Sequence, residues 1–378
     1  MIGFQPNKEQ MNLIEEVRSM VETKIAPLAL EMDRRGDQTF DWHFIKILAE
    51  HNLIAPSIPP EFGGRGLSYL SLAMVIEEIA AGCAGLAACI VGVVHAITPI
   101  LIAGTHEQKA AFLTRLTQGQ PVLASFALTE PQGGSDLASV KTKAQKVEKG
   151  FLLNGTKDYI VNGAVANFIT TCAQTKPEYG RAGLRFFIVP KEGTKVLRIR
   201  NKMGIRYANT AQIEFNNTFV PEEYVLGKEG SGYLLLTQTL DCGRALVGAV
   251  EVGVARAAYG LALKHSRERY QFGKPIFVNQ GVSFPLVEMA TMIDAARLLV
   301  WRACWLMDQN DDYTKESSMA KVFASEVAQE VTSKAIDILG AQGYANDSLL
   351  NMYFRDAKVG SIVEGTNNIQ KMTIASLL

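Results

Sequence analysis

IVEGTNNIQK, residues 362–371, sets one carboxylate, Glu364, in a run that carries no other charge before Lys371. Val363 before it and Ile369 after it suggest an apolar pocket. Such a pocket raises a carboxyl group above its reference of about 4.3 by penalising the charged form. Glu364 is then the candidate catalytic base, poised nearer neutrality. Gly365 lets backbone approach a ligand closely, while Thr366, Asn367 and Asn368 offer short donors and acceptors at the start of a final helix. Alone, the tripeptide EGT reads first as a solvated Glu ahead of a helix cap. The rest of the chain decides.

Working outward, FRDAK (354–358) precedes this stretch, and four further blocks stand earlier: PPEFGG (59–64), LTEPQGGSD (128–136), LNGTKDYIVNG (153–163) and RYQFGKPI (269–276). Each is weak by itself, but in this order they span nearly the whole chain and together resemble the acyl-CoA dehydrogenase family. The resemblance implies an α+β protein: an N-terminal helical domain (1–121), a central antiparallel β domain (122–229) and a C-terminal four-helix bundle (230–378).

Periodicity gives the same order. Met11, Ile14, Val17, Met20 and Val21 recur at helical spacing within residues 8–35, and a second helix is predicted over 42–50. Prolines and glycines break residues 56–66 into a loop. A third helix begins near 68–70, and Thr105 with Glu107 caps another running to about Gly119. From Val122 the period shifts towards two, and VLASFAL, FLLNG, YIVNG, FITTCA, RFFIVP, KVLRIR and AQIEF read as seven strands, closed or sandwiched. Glu148-Lys149-Gly150, Asn154-Gly155 and Asn216-Asn217 supply turn chemistry. Helical spacing returns over 233–269, 282–309 and 315–339, with Leu240, Arg244, Val247 and Glu251 on one face.

At 378 residues and 48% hydrophobic content the chain suffices for two or three cores. Lys plus Arg and Asp plus Glu both number 38, so no basic field exists to hold nucleic acid or an anionic membrane. The five cysteines form no CxxC pair and fit a reducing compartment as small core residues. Residues 1–25 mix acids and bases without an apolar run, which predicts no signal segment and a cytoplasmic protein. Residues 79–106 carry no Asp, Glu, Lys or Arg and are long enough to span a bilayer. The interruptions at His95, Thr98 and Pro99, and the lack of basic flanks, favour a buried helix pair.

Removing hydrogen from two adjacent carbons beside a thioester requires a base for the α-proton and an acceptor for the β-hydride. No side chain accepts hydride, so an organic cofactor is required. No GxGxxG follows a strand, which argues against a Rossmann site. The resemblance implies FAD, contacted by Thr129 at the ring, by Ser135 at the diphosphate, and also by Phe126, Leu128, Thr366 and Asn368. Gly133 and Gly134 would allow close backbone approach to the phosphates. Tyr159 stands where the family usually has Trp, and Val161 where it usually has a hydroxyl against flavin N5. Arg269, Phe272 and Gln280 would reach a neighbouring subunit's FAD, as would Asp337, Gly340 and Ala341, although Asp337 and Ala341 replace the usual Gln and Gly. Ser135, Asp241, Arg244 and Gly365 would contact the acyl-CoA; Arg244 and Glu251 could instead form a structural ion pair.

Some family members carry the base at the position of Gly243, so here Glu364 alone is available. His51, His95 and His106 show no metal-ligand spacing and read as core or surface histidines. The expected activity is α,β-dehydrogenation of an uncharged short, branched or cyclic acyl-CoA, lined by residues 86–98, in a homotetramer that passes electrons to an electron-transfer flavoprotein. An acyl-CoA oxidase and a non-catalytic acyl-CoA-binding homologue are the alternatives.

Overall fold

The computed structural model describes residues 5–35 and 40–378; the reading of the opening segment over residues 1–4 lies outside them. Asn7 caps the first helix, α1 (Lys8–Met20), in a reciprocal box with Gln10. One π-helical stretch, Val21–Ile25, carries the chain into α2 (Ala26–Arg35). After α3 (His43–Glu50) and the Pro/Gly loop, Ser68 caps α4 (Tyr69–Gly82). The carboxylate of Asp308 accepts the Tyr69 and Leu70 N–H groups at 2.6 and 3.0 Å, satisfying two donors that a helix start leaves open.

The uncharged run divides at Cys83 into the end of α4 and the whole of α5 (Ala84–Ala103). Both α5 and the later α7 (Gly232–Glu268) are long and apolar enough to cross a membrane, but most of each is buried inside the protein. Helix α6 (His106–Leu113) is capped by Thr105 as expected, with Gln108 rather than Glu107 closing the box.

Eight strands build the middle of the chain: β1 (Ala124–Ala127), β2 (Lys143–Val147), β3 (Gly150–Val161), β4 (Phe168–Gln174), β5 (Leu184–Pro190), β6 (Lys195–Ile199), β7 (Thr210–Pro221) and β8 (Val225–Leu226). Seven run in the order β6-β7-β3-β2-β4-β5-β8, and β1 pairs with β4 off this path. Most pairs are antiparallel, but β1 and β2 both meet β4 in parallel. Each parallel pair is joined through other strands, as parallel pairing requires. Alternation sorts β4 and β5 between two cores. Phe168, Cys172, Phe186 and Ile188 face the helices, while Ile169, Ala173, Phe187 and Val189 face the β interior.

Two expected features resolve differently. FLLNG and YIVNG are one long strand, β3, and the predicted turns at Asn154-Gly155 and Asn216-Asn217 lie opposite each other across β3 and β7. Asn217 takes φ +48° and its N–H donates to the Asn154 side chain at 2.8 Å, so asparagine's tolerance of left-handed backbone serves a bulge here. Glu148-Lys149 does form the hairpin turn between β2 and β3.

Helices α7, α8 (Gln280–Asp308) and α9 (Thr314–Leu339) form the bundle, closed by the short α10 (Ala341–Tyr344), α11 (Leu349–Ala357) and α12 (Asn367–Ala375). The expected face of α7, with Leu240, Arg244, Val247 and Glu251, is buried. Buried Glu77 and Glu78 on α4 bind Arg18, Arg256 and Arg297, joining α1, α4, α7 and α8. The five cysteines are free and buried.

Candidate active site

Between α11 and α12 the chain turns on two successive left-handed residues, Glu364 at φ +53° and Gly365 at φ +81°. Glycine adopts this freely; for Glu it costs about 1 kcal/mol and persists only where the surroundings impose it. The fully buried Gln370 side chain donates to the Glu364 carbonyl at 2.6 Å. The fully buried Lys321 ammonium donates to the Gly365 carbonyl at 2.9 Å and to Asn367 Oδ1 at 3.0 Å. Thr366 caps α12 through the Ile369 N–H, as the sequence predicts. Among the described residues no acceptor meets the Glu364 N–H.

The carboxylate lies among side chains of α5, α7 and α9. Its Oε2 lies 3.3 Å from Nε2 of His95, whose side chain is 5% exposed. His95 Nδ1 lies 2.8 Å from the Val91 carbonyl, so the ring carries its proton there. His95 is a core residue, within the reading of core or surface histidines, and its second nitrogen faces the base. Arg244 pairs with Asp241 rather than Glu251, and Asp241 also accepts the Thr314 hydroxyl at 2.9 Å.

Burial pushes the Glu364 carboxyl up, but His95, Arg244 and Lys321 more than offset this and hold it below its ordinary value. That overturns the expected raised carboxyl. Val363 and Ile369 are visible in the local sequence, whereas the three cations arrive from distant helices. Burial likewise lowers Lys321 to about 8, against the pull of Glu251 and Glu364. Burial raises Asp241 despite Arg244, and raises Glu251 well above its usual range. Among the described residues, buried Glu364 Oε2, His95 Nε2 and Arg244 Nε meet no hydrogen-bond partner.

The alternative base position is closed. A Cβ added to Gly243 would fall 1.7 Å from His95 Nε2. The imidazole occupies the space that a side chain at 243 needs.

A strip of β-domain residues runs beside α5. Phe126 stacks on His95 at 6.1 Å between ring centres and on Phe186 at 6.0 Å. The Thr129 carbonyl accepts the Asp158 N–H at 2.8 Å, bringing LTEP beside KDY. Tyr159, at φ +57°, is exposed beneath Arg200, whose guanidinium lies 4.6 Å from the ring centre. Val161 packs at Gly92, about one turn of α5 from His95, and its carbonyl accepts the Ser125 hydroxyl at 2.5 Å. Leu128 and Thr129 share a small groove with Gly133 and Gly134, and Ser135 is exposed on the same loop.

Beneath this loop lies a buried ion pair not foreseen from sequence. Glu130 accepts Lys157 Nζ at 2.9 Å, the Lys141 N–H at 2.7 Å, and the Thr142 N–H and hydroxyl at 2.9 and 2.5 Å. Arg269, Phe272, Gln280, Asp337, Gly340 and Ala341 are exposed and are not brought to Glu364. About 37 Å of helix separates Arg244 from Arg269 at 1.5 Å per residue. Asn368 is exposed in the first turn of α12. Among the described residues no cluster suits a metal ion.

A helical, a β and a second helical part in this order, with a cation-flanked carboxylate on the last turn of chain, define a class of oxidoreductases acting beside a thioester. The chain belongs to that class's acyl-CoA dehydrogenase family, whose N-terminal, middle and C-terminal domains match residues 7–120, 125–218 and 230–378. It is 39% identical to an acyl-CoA dehydrogenase of Bacillus subtilis, covering 98% of both chains. It is 40% identical to the acryloyl-CoA reductase (NADH) of Anaerotignum propionicum, covering 99% of this chain and 95% of the relative. The solved butyryl-CoA dehydrogenase from Megasphaera elsdenii superposes with a TM-score of 0.96 at 34% identity, over 100% of this chain and 99% of that one.

Proposed function

We propose that this chain converts a short, uncharged acyl-CoA to its 2-enoyl-CoA, with Glu364 taking the α-proton. The observation that carries this reading is the Glu364-Gly365 turn, which aims a desolvated carboxylate inward while leaving its own N–H without an acceptor among the described residues. That N–H would receive the thioester carbonyl and stabilise the enolate-like charge as the α-proton leaves.

The hydride acceptor this chemistry needs would be FAD, bound along the strip from Phe126 to Val161. The residues fit such a group: Phe126 is already stacked, Thr129 offers a hydroxyl, the Gly133-Gly134 turn is open, and Tyr159 holds an exposed ring at left-handed backbone. Tyr159 would cover the ring, while Thr366 and Asn368 border its other side. Ser135, Asp241, Arg244 and Gly365 would border the acyl-CoA.

An uncharged acyl group is favoured because the three cations around Glu364 are committed, His95 to Glu364 itself, Arg244 to Asp241, and Lys321 to the Gly365 carbonyl and Asn367. Helix α5 carries no Lys or Arg. The names of the similar proteins, acryloyl and butyryl, are three- and four-carbon acyl groups. A panel of thioesters scored by anaerobic flavin bleaching tests this: butyryl-CoA should bleach fastest and a dicarboxylic thioester hardly at all.

The similarity to an acryloyl-CoA reductase favours a second reading, in which the same site works towards the saturated thioester. NADH-dependent consumption of acryloyl-CoA by the purified protein would establish it, and reduction of an electron-transfer flavoprotein would establish the first. Peroxide formed at the full turnover rate in air would instead indicate an oxidase.

Tyr270, Phe272, Val278, Phe284 and Val287 are exposed apolar residues grouped around the end of α7 and the start of α8. They support a homotetramer in which Arg269, Phe272 and Gln280, with Asp337, Gly340 and Ala341, serve a neighbour's FAD. Light scattering reads the assembly directly; a monomer that retains FAD would refute it.

A further inference from the structure

We propose that His95 is the positioning residue of the catalytic base: as an imidazolium locked on the Val91 carbonyl, it holds the Glu364 carboxylate charged and in one orientation. This rests on the reading of Glu364 as the base.

The geometry requires a proton between the two side chains. With Nδ1–H given to the Val91 carbonyl, a neutral ring would turn the bare Nε2 lone pair towards a carboxylate oxygen 3.3 Å away. Two desolvated acceptors at that distance repel, whereas a protonated Nε2 makes the contact an ion pair. The ring has little freedom to turn away. Phe126 stacks on one side of it, and on α7 the ring lies so close to Gly243 that a methyl group there would overlap it.

The other charged groups around Glu364 do not substitute for His95. On α7, Arg244 is bound to Asp241, which also holds Thr314. On α9, Lys321 is spent on the Gly365 carbonyl and Asn367, with the buried Glu251 of α7 opposing it. Among the described residues His95 alone makes an ion-pair contact with Glu364. Burial lowers the imidazole, but Glu364 and the Val91 carbonyl more than offset that and it rises above its ordinary value, while the Glu364 carboxyl falls.

In the reaction the α-carbon's C–H bond breaks and its proton goes to a Glu364 oxygen. The electron pair becomes part of the α,β double bond as the β-hydride departs to the acceptor. His95 neither gains nor loses a proton. Its effect is to keep Glu364 ionised at a pH where burial alone would neutralise it.

Two measurements test this. The first is the pH profile of single-turnover reduction by butyryl-CoA in holoenzyme and in His95→Gln. Removing the imidazolium should move the acid limb up by about one unit or more, since burial then acts on Glu364 with less opposition. A ring that only fills space would lower the rate at every pH and leave the limb in place. The second needs no turnover: NMR of holoenzyme labelled with 13Cε1-histidine, in which one of the five histidine signals belongs to His95. That signal, identified by its loss in His95→Gln or by its response to Glu364→Gln, should be protonated at about pH 7.5, and Glu364→Gln should lower its pKa by about one unit or more.

A neutral His95 at that pH, or a titration indifferent to Glu364→Gln, overturns the proposal. If no thioester bleaches the protein, the proposed reaction fails, and the NMR titration still decides whether the pair exists. If His95→Gln does not fold, the comparison of the parent with Glu364→Gln remains decisive.

Discussion

Two buried acid–cation pairs, Glu364 with His95 beside Phe126 and Glu130 with Lys157 at the 128–136 loop, are built differently. Glu130 and Lys157 saturate each other: the carboxylate takes four hydrogen bonds from Lys141, Thr142 and Lys157, and Lys157 also donates to the Leu128 and Cys172 carbonyls. Glu364 and His95 are left open, with Oε2 and Nε2 lacking hydrogen bonds among the described residues and the Glu364 backbone held left-handed. A saturated pair fixes a loop. An open pair keeps its acceptor capacity for a proton that arrives with substrate, at some expense in stability.

The contrast is sharpest for Lys157. Replacing it with Met leaves Glu130 buried with its principal cation gone, and this should destabilise the β domain by about 3–5 kcal/mol. Denaturant unfolding of the FAD-loaded protein reads it, and a loss below about 1 kcal/mol would mean that the pair is not structural.

Acid provides a second test. Burial pushes the Glu130 carboxyl up, but Lys157, Thr142 and the Lys141 N–H more than offset this and hold it at about 2, below its ordinary 4.5. A depressed carboxyl contributes stability that is complete above its unfolded value and is lost as pH falls towards its folded one. The parent should therefore lose stability between about pH 4.5 and 2, and Glu130→Gln should lose less over that window.

Glu364→Gln should cost less than Lys157→Met. It removes one partner of an open pair whose other member, His95, can shed its proton, so stability should fall by only about 1–2 kcal/mol. A loss of several kcal/mol would place Glu364 with Glu130 as a structural acid.

The smallest effect is expected at Val161. Its side chain packs at Gly92 where the family resemblance implies a hydroxyl near the flavin. One neutral hydrogen bond contributes roughly 0.5–1.5 kcal/mol, so Val161→Thr should speed single-turnover reduction by about two- to tenfold with FAD content unchanged. An equal or slower rate would show that Val161 serves packing alone.

The fold was legible because the helical and strand periods change near Val122 and again near Tyr233, and the sequence blocks fall in one order along the chain. The β domain was read less well. Asn-Gly and Asn-Asn pairs signal left-handed backbone without distinguishing a turn from a bulge, so β3 was divided in two and its bulges were taken for chain reversals. Glu364 and its cap at Thr366 were legible as a local motif. Its electrostatics were not: His95, Arg244 and Lys321 lie between 43 and 269 residues away in sequence and meet Glu364 only through helix packing. A signal for His95 did exist, since it is an ionisable residue inside a long run free of Asp, Glu, Lys and Arg. Lys157 and Glu130 left no comparable trace, because both stand among polar residues that read as surface.

The central claim is that Glu364 takes the α-proton, and anaerobic stopped-flow bleaching of parent and Glu364→Gln by the same short acyl-CoA tests it most directly. Both proteins should be folded and yellow, with Glu364→Gln slower by several orders of magnitude, since an amide accepts no proton. A mutant retaining more than about a tenth of the parent rate, under ~1.4 kcal/mol of added barrier, would contradict the account and place the base elsewhere.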